Sequence, residues 1–110
     1  MLKIHLQRNK ETGLIEARLS PENNLLKEFF ETEILDDMAL INYLRTKKKK
    51  EQVEDFEITG NGFTLTLTED RYIITPLYED TRPAKDGRRK DFFKLLKHWR
   101  KFLKNESKQH

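Results

Sequence analysis

Leu2, Ile4 and Leu6 alternate with Lys3, His5 and Gln7, the two-residue period of a strand with one buried face. After the loop RNKETG, whose Gly13 suits the positive φ of a turn, Ile15, Ala17 and Leu19 alternate with Glu16 and Arg18. The two runs predict an N-terminal β-hairpin. The period then becomes helical. Leu25, Leu26, Phe29 and Phe30 form one stripe, and apolar residues resume at Ile34, Leu35, Met38, Ile41 and Leu44. SPEN reads as the helix start, with Ser20 as cap, Pro21 in the first helical position and Glu22 at the positive end of the dipole. A single helix from Pro21 to Lys49 would be about 43 Å long at 1.5 Å per residue, too long for a compact domain of this size. A break is therefore expected near ETEILDD, with Asp36 and Asp37 in the first turn of a second helix.

The stretch TKKKKEQVED follows as a solvated helix end and connector. Phe56 and Ile58 alternate with Glu57 and Thr59, GNG supplies a tight turn, and Phe63, Leu65 and Leu67 alternate with threonines. RYIITPLY predicts a further strand, in which Pro76 argues for a sheet edge or a bulge. EDTRPAKDGRRK, residues 79 to 90, reads as the longest polar loop. A final helix is expected from about Asp91 to Lys104, with Phe92, Leu95, Leu96, Trp99, Phe102 and Leu103 on its apolar side. Lys94, Lys97, His98, Lys101 and Lys104 occupy the other side, with Arg100 at the border. The order ββ-α(α)-βββ-α predicts an α+β fold: one domain over residues 1–110, an antiparallel sheet of about five strands, helices on one face, and a disordered tail from about 105 to 110.

At 110 residues the chain buries roughly two thirds of its unfolded surface, enough for one core without staples. It has no cysteine, which removes disulfides, thiolate metal sites and cysteine nucleophiles and suits a reducing compartment. No apolar run approaches a membrane span, and the N-terminus carries no secretory h-region. The expectation is a soluble cytoplasmic protein with no membrane partner. The net charge of +3 conceals an asymmetry. Residues 1–87 hold 13 Lys and Arg against 17 Asp and Glu, whereas residues 88–110 hold 9 against 2. The chain is an acidic body with a basic final helix.

That helix supplies the first candidate surface: Arg88, Arg89, Lys94, Lys97, Arg100 and Lys101. Such a face keeps an amphipathic helix solvated, docks on an acidic protein surface, or contacts the phosphates of a nucleic acid. Its aromatics lie on the apolar stripe, where side chains pack rather than stack on bases, and no helix-turn-helix, zinc-finger or RNA-recognition motif accompanies it. The second candidate is acidic. Glu54, Asp55 and Glu57, Glu69 and Asp70, and Glu79 and Asp80 recur near the turns, and antiparallel pairing would gather several at one end of the sheet. A carboxylate cluster of that kind mimics phosphates before a basic partner, although ordinary turn polarity produces the same pattern. His5, His98 and His110 have no metal-ligand spacing, neither serine sits in a nucleophile elbow, and GNG precedes no helix. No catalytic residue, metal site or cofactor is expected, and the chain does not read as an enzyme.

LQRNKETGLIEARLS at 6–20, ITGNGFTLTLTEDRYII at 58–74 and DFFKLLKHWRKFL at 91–103 together resemble the YacL-like family of small bacterial proteins. The likeness covers most of the chain and implies a shared fold; it carries no catalytic residue. TRPAKDGRRK and the lysine run depart from the family, which has a more acidic segment before the last helix. In format the chain is also similar to the immunity proteins of contact-delivered bacterial toxins, which are small, highly charged cytoplasmic domains without catalytic constellations. That likeness implies a non-catalytic inhibitor covering the active site or an exosite of a toxin such as a nuclease, with the carboxylates at the sheet's turns expected to meet a basic toxin surface and the basic helix face on an acidic exosite as the other choice; a nucleic-acid- or ribosome-associated module is the alternative.

Overall fold

The alternating apolar residues at both ends of the first loop form a hairpin of β1 (Lys3–Arg8) and β2 (Ile15–Ser20), in which Ile4 faces Leu19 and Leu6 faces Ala17. The computed structural model describes residues 2–48, 55–78 and 81–108. Ile15, Ala17 and Leu19 are buried, while Lys3, His5 and Arg18 face outward. Arg8 closes the hairpin by donating from Nη1 to the Gly13 carbonyl at 2.8 Å, where Gly13 takes a φ of 74°.

The first helix, α1 (Asn24–Phe29), begins later than SPEN suggests. Ser20 is the last residue of β2, opposite Lys3, and so is not a cap. Asn23 does that work: its Oδ1 accepts from the Leu26 amide at 3.1 Å, satisfying one of the donors a helix start leaves open. The expected break is present. A π-helical turn (Phe30–Ile34) follows α1, Leu35 turns the chain with a φ of 50°, and α2 (Met38–Arg45) starts anew. Asp37 caps α2 through the Leu40 amide at 3.0 Å, so Asp36 and Asp37 precede the helix rather than occupying its first turn. A single unbroken helix would have exceeded the longest dimension of the molecule, 41 Å.

The second half forms β3 (Phe56–Thr59), β4 (Phe63–Leu67), β5 (Arg71–Pro76) and β6 (Lys85–Arg88), all antiparallel and in that spatial order. The expected single sheet of about five strands is therefore two sheets, of two and four strands. On the outer edge of the hairpin, where a further strand would pair, Glu31 accepts from the Ala17 amide at 2.8 Å. The sixth strand, β6, lies inside the segment whose polarity reads as a loop. Its inward positions are Lys85 and Gly87, opposite Ile74 and Tyr72, so it has no apolar period to reveal it. Pro76 ends β5 opposite Phe63. Although β5 is an interior strand, β6 pairs only with Arg71–Ile74, so the missing proline N–H takes nothing from the ladder.

The last helix, α3 (Arg89–Ser107), is longer at both ends than its apolar stripe indicates. The Arg89 amide donates to the Asp70 carbonyl at 2.9 Å and fastens the helix start to the β4–β5 turn. At the other end Glu106, within the segment expected as tail, pairs with Arg8, whose Nε donates at 3.1 Å. Phe92, Leu95, Leu96 and Trp99 are fully buried on α3, and the rings of Phe92 and Trp99 each lie 5.4 Å from that of Phe30. Leu65, Ile74 and Tyr72 complete this core from the inner face of the four-stranded sheet. The helices cover that face alone. Its outer face presents Glu57, Thr66, Ile73 and Asp86 in one row, and Arg71 beside Arg88 in the next.

Gly87 permits the approach of β6 to the core. A Cβ there would stand 2.5 Å from Cζ of Tyr72, whose ring is buried and whose hydroxyl accepts from Asn23 Nδ2 at 2.7 Å. Neither group is free to yield. Gly87→Ala is expected to lower unfolding stability by about 1–3 kcal/mol, read as a drop in the urea midpoint at unchanged m-value.

Candidate functional site

Charge on α3 is divided by the helical period. With Phe92, Leu95, Leu96, Trp99 and Leu103 turned inward, Lys97, His98 and Lys101 stand exposed on the opposite side. Lys94 is half-buried and donates from Nζ to the Leu2 carbonyl, so it is partly a structural residue. Among the described residues, no carboxylate forms an ion pair with Arg88, Lys90, Lys94, Lys97 or Lys101.

Several carboxylates are engaged within the fold. Glu106 and Asp36 pair with Arg8, Glu28 with Arg82 at 3.1 Å, Glu31 with Lys27, and Asp86 with Arg71 at 2.8 Å. Glu33 accepts from the amides of Asn61 and Gly62 at 3.0 and 2.8 Å, bracing the GNG turn. None of these ion pairs uses a cation of α3, which has no carboxylate partner among the described residues.

Two titrating groups register the field of those cations. The His98 imidazole is held below its usual value of 6.5, first by burial and then by Lys94, Lys101 and Lys97. The Lys104 ammonium is likewise held below its usual value, first by Arg100. For His98 the sign of the linkage follows. The unfolded chain takes up its proton near pH 6.5 while the folded imidazole does not, so stability falls as pH drops through 6.5 and levels off below the folded value. An NMR titration of His98 is expected to show a midpoint below 6.5 that rises, without reaching 6.5, when Lys97 and Lys101 are replaced by Gln.

At the start of α3 the cationic side widens into an open cleft of about 730 Å³. Lys48, Arg71, Arg88, Lys90, Lys94 and Lys97 line it, Phe93 forms its apolar floor, and Glu69 and Asp70 form one rim. Three of these cations lie outside the site residues expected from the sequence. Lys48, Arg71 and Lys90 come together only because β6 pairs Arg88 with Arg71 and delivers α3 beside the β4–β5 turn.

The structure sorts the sequence candidates. Arg88, Lys94 and Lys97 meet at the cleft, and Lys101 continues the row along α3. Arg89 belongs to the framework: its guanidinium lies 5.0 Å over the Phe93 ring and donates to the carbonyls of Lys47 and Lys48, and its Nε is buried without a partner. Arg100 turns to α2, donating to Asn42 Oδ1 at 3.3 Å. Of the acidic set, Glu54, Glu79 and Asp80 lie outside the described residues. Asp55 precedes Phe56, which pairs with Leu67, so Asp55, Glu69 and Asp70 do share one end of the sheet. They share it with Arg71, Arg88 and Lys90, however, and Glu57 sits away on the outer face. The result is a surface of mixed sign rather than a phosphate mimic.

His5 is exposed on the outer face of β1 and His98 on α3, beside Ile4 and Leu6 of the inner face, so they form no acid–base pair. Among the described residues no group of three or more His, Asp or Glu is placed to hold a metal ion, and no described helix is long and apolar enough to cross a membrane. No protein-family model matches the chain, and neither does any curated protein or solved structure.

Proposed function

We propose that this is a non-catalytic cytoplasmic binding protein that engages an acidic surface of one cognate protein, in the manner of an immunity protein neutralising a bacterial toxin. One observation carries the reading. The row Arg88, Lys97 and Lys101 is exposed and has no carboxylate partner among the described residues. Uncompensated cations raise the energy of the free surface, and a complementary surface recovers that energy while steering encounter. Inhibition then follows from occlusion of an active site or an exosite, which requires no reacting group on this chain.

The mixed rim favours a protein over a nucleic acid. Glu69 and Asp70 stand in the path of a continuous phosphate track, whereas a protein surface offers cations to meet them. The aromatic residues of α3 support the same choice: Phe92, Phe93 and Trp99 are buried, which leaves the half-buried Phe102 alone beside the cations. The similarity in format to immunity domains is consistent with such a role. The lack of cysteine suits the cytoplasm.

The test is a tagged capture from the native host, with and without nuclease, followed by mass spectrometry. One near-stoichiometric acidic protein that survives nuclease supports the reading and identifies the target. Partners that vanish with nuclease overturn it in favour of a nucleic-acid module.

A further inference from the structure

We propose that the groove between β1 and α3 receives an extended acidic segment of the protein partner as an added strand. This rests on the reading that α3 carries the binding surface, and specifies what that surface holds.

The backbone of β1 shows which groups are free. In an antiparallel pair, residues alternately direct their N–H and C=O toward the partner strand and away from it. The Asn9 amide donates to the Leu14 carbonyl at 2.8 Å, so Asn9 is directed toward β2, and Gln7, His5 and Lys3 follow by alternation. Leu6, Ile4 and Leu2 are then directed away. Two separate bonds agree with this register. The Leu2 carbonyl is taken by Lys94 of α3, on the far side from β2. Across from Leu6, the Ala17 amide leaves β2 on its own far side and meets Glu31 at 2.8 Å.

On the β2 edge Glu31 takes the Ala17 amide, and on the β1 edge the N–H and C=O of Ile4 and Leu6 have no protein partner among the described residues. Beside this edge runs a groove of about 540 Å³, with Ile4, Leu6 and Phe102 half-buried along it and Lys97, His98 and Lys101 on its helix side.

Strand and helix walls together suit an added strand, whose backbone pairs with Ile4 and Leu6 while alternate side chains meet the groove. The charge selects the occupant. No carboxylate pairs with Lys97 or Lys101 among the described residues, so side chains facing α3 are glutamate or aspartate. A second copy offering its own β1 fits poorly, because KIHLQR contains three basic or imidazole side chains and no carboxylate. Like charges would then meet across the groove.

The experiment uses a synthetic eight-residue peptide of alternating glutamate and valine at millimolar concentration, with a lysine–valine peptide as control. Bound glutamate peptide is expected to slow hydrogen exchange of the Ile4 and Leu6 amides by at least about tenfold, leaving Ala17 unchanged. The control peptide is expected to do nothing. Ile4→Pro removes an N–H that makes no internal bond and is expected to abolish binding while the circular dichroism spectrum is retained. Binding that needs Lys97 and Lys101 but leaves both amides at their free rates overturns strand addition and spares the cationic-surface reading. Absence of binding overturns the groove proposal, while the nuclease-controlled capture decides the broader reading separately.

Discussion

Trp99→Ala is expected to destabilise the protein by about 3–5 kcal/mol, the cost of emptying a fully buried aromatic site. Trp99 has no exposed surface, packs 5.4 Å from Phe30, and donates from Nε1 to the Leu35 carbonyl at 2.8 Å. That carbonyl belongs to a residue with a φ of 50°, a sparsely populated conformation for leucine. The indole thus fills the core and pins the strained corner between the π-helical turn and α2. Its removal creates a cavity, strands a carbonyl and frees the corner together. Against a total of about 5–15 kcal/mol for a small domain, this loss is a large fraction. The melting temperature, followed by far-UV circular dichroism because Trp99 is the single tryptophan, should fall by more than about 10 °C. Trp99→Phe keeps most of the packing and should cost about 1 kcal/mol, the contribution of the lost hydrogen bond to the Leu35 carbonyl. A loss below about 1 kcal/mol for the alanine variant would show that Trp99 does not organise the core.

Replacing Arg88, Lys97 and Lys101 together by Gln is expected to weaken binding of the captured partner about 100-fold at low salt. Each is exposed and unpaired among the described residues, so each loses a complementary contact and no internal bond. At about 1 kcal/mol per contact the sum is near 3 kcal/mol, and about 1.4 kcal/mol is tenfold. Raising ionic strength should narrow the difference, because salt weakens the wild-type interaction and leaves the neutral variant little to lose. Thermal stability should stay level or rise slightly, since the substitutions relieve repulsion along α3. A variant that loses its melting temperature as well as its affinity would mean that these cations support the fold.

The sequence made the helices legible where an apolar stripe ran long, as in α3, and the first hairpin legible through strict alternation from Leu2 to Leu6. It could not reveal β6, because Lys85 and Gly87 occupy the inward positions and a strand without apolar period reads as loop. The separation of the two sheets was equally hidden. The alternation that marks a strand does not say which sheet the strand joins, and the contact of Glu31 with the Ala17 amide joins residues of ordinary type. The helix start moved from Ser20 to Asn23 because both residue types cap, and only β2 pairing removes Ser20 from contention.

The same distinction applies to the candidate site. A basic side of α3 followed from its period, so Lys97 and Lys101 were legible. The cleft was not, because Lys48, Arg71 and Arg88 come from three elements joined by the unseen β6. Sequence alone also could not separate a solvated charge from a structural one. Arg89 and Arg100 resemble their neighbours in type, yet one packs on Phe93 and the other turns to Asn42.

The most direct test of the cationic-surface reading sets two variants against wild type in the same nuclease-treated capture. One carries Arg88, Lys97 and Lys101 as Gln; the other carries Asp55, Glu57, Glu69 and Asp70 as their amides. The partner is expected to disappear from the first and remain on the second, with at most a modest loss from the rim positions Glu69 and Asp70. Retention by the first and disappearance from the second would contradict it and move the binding surface to the acidic end of the sheet.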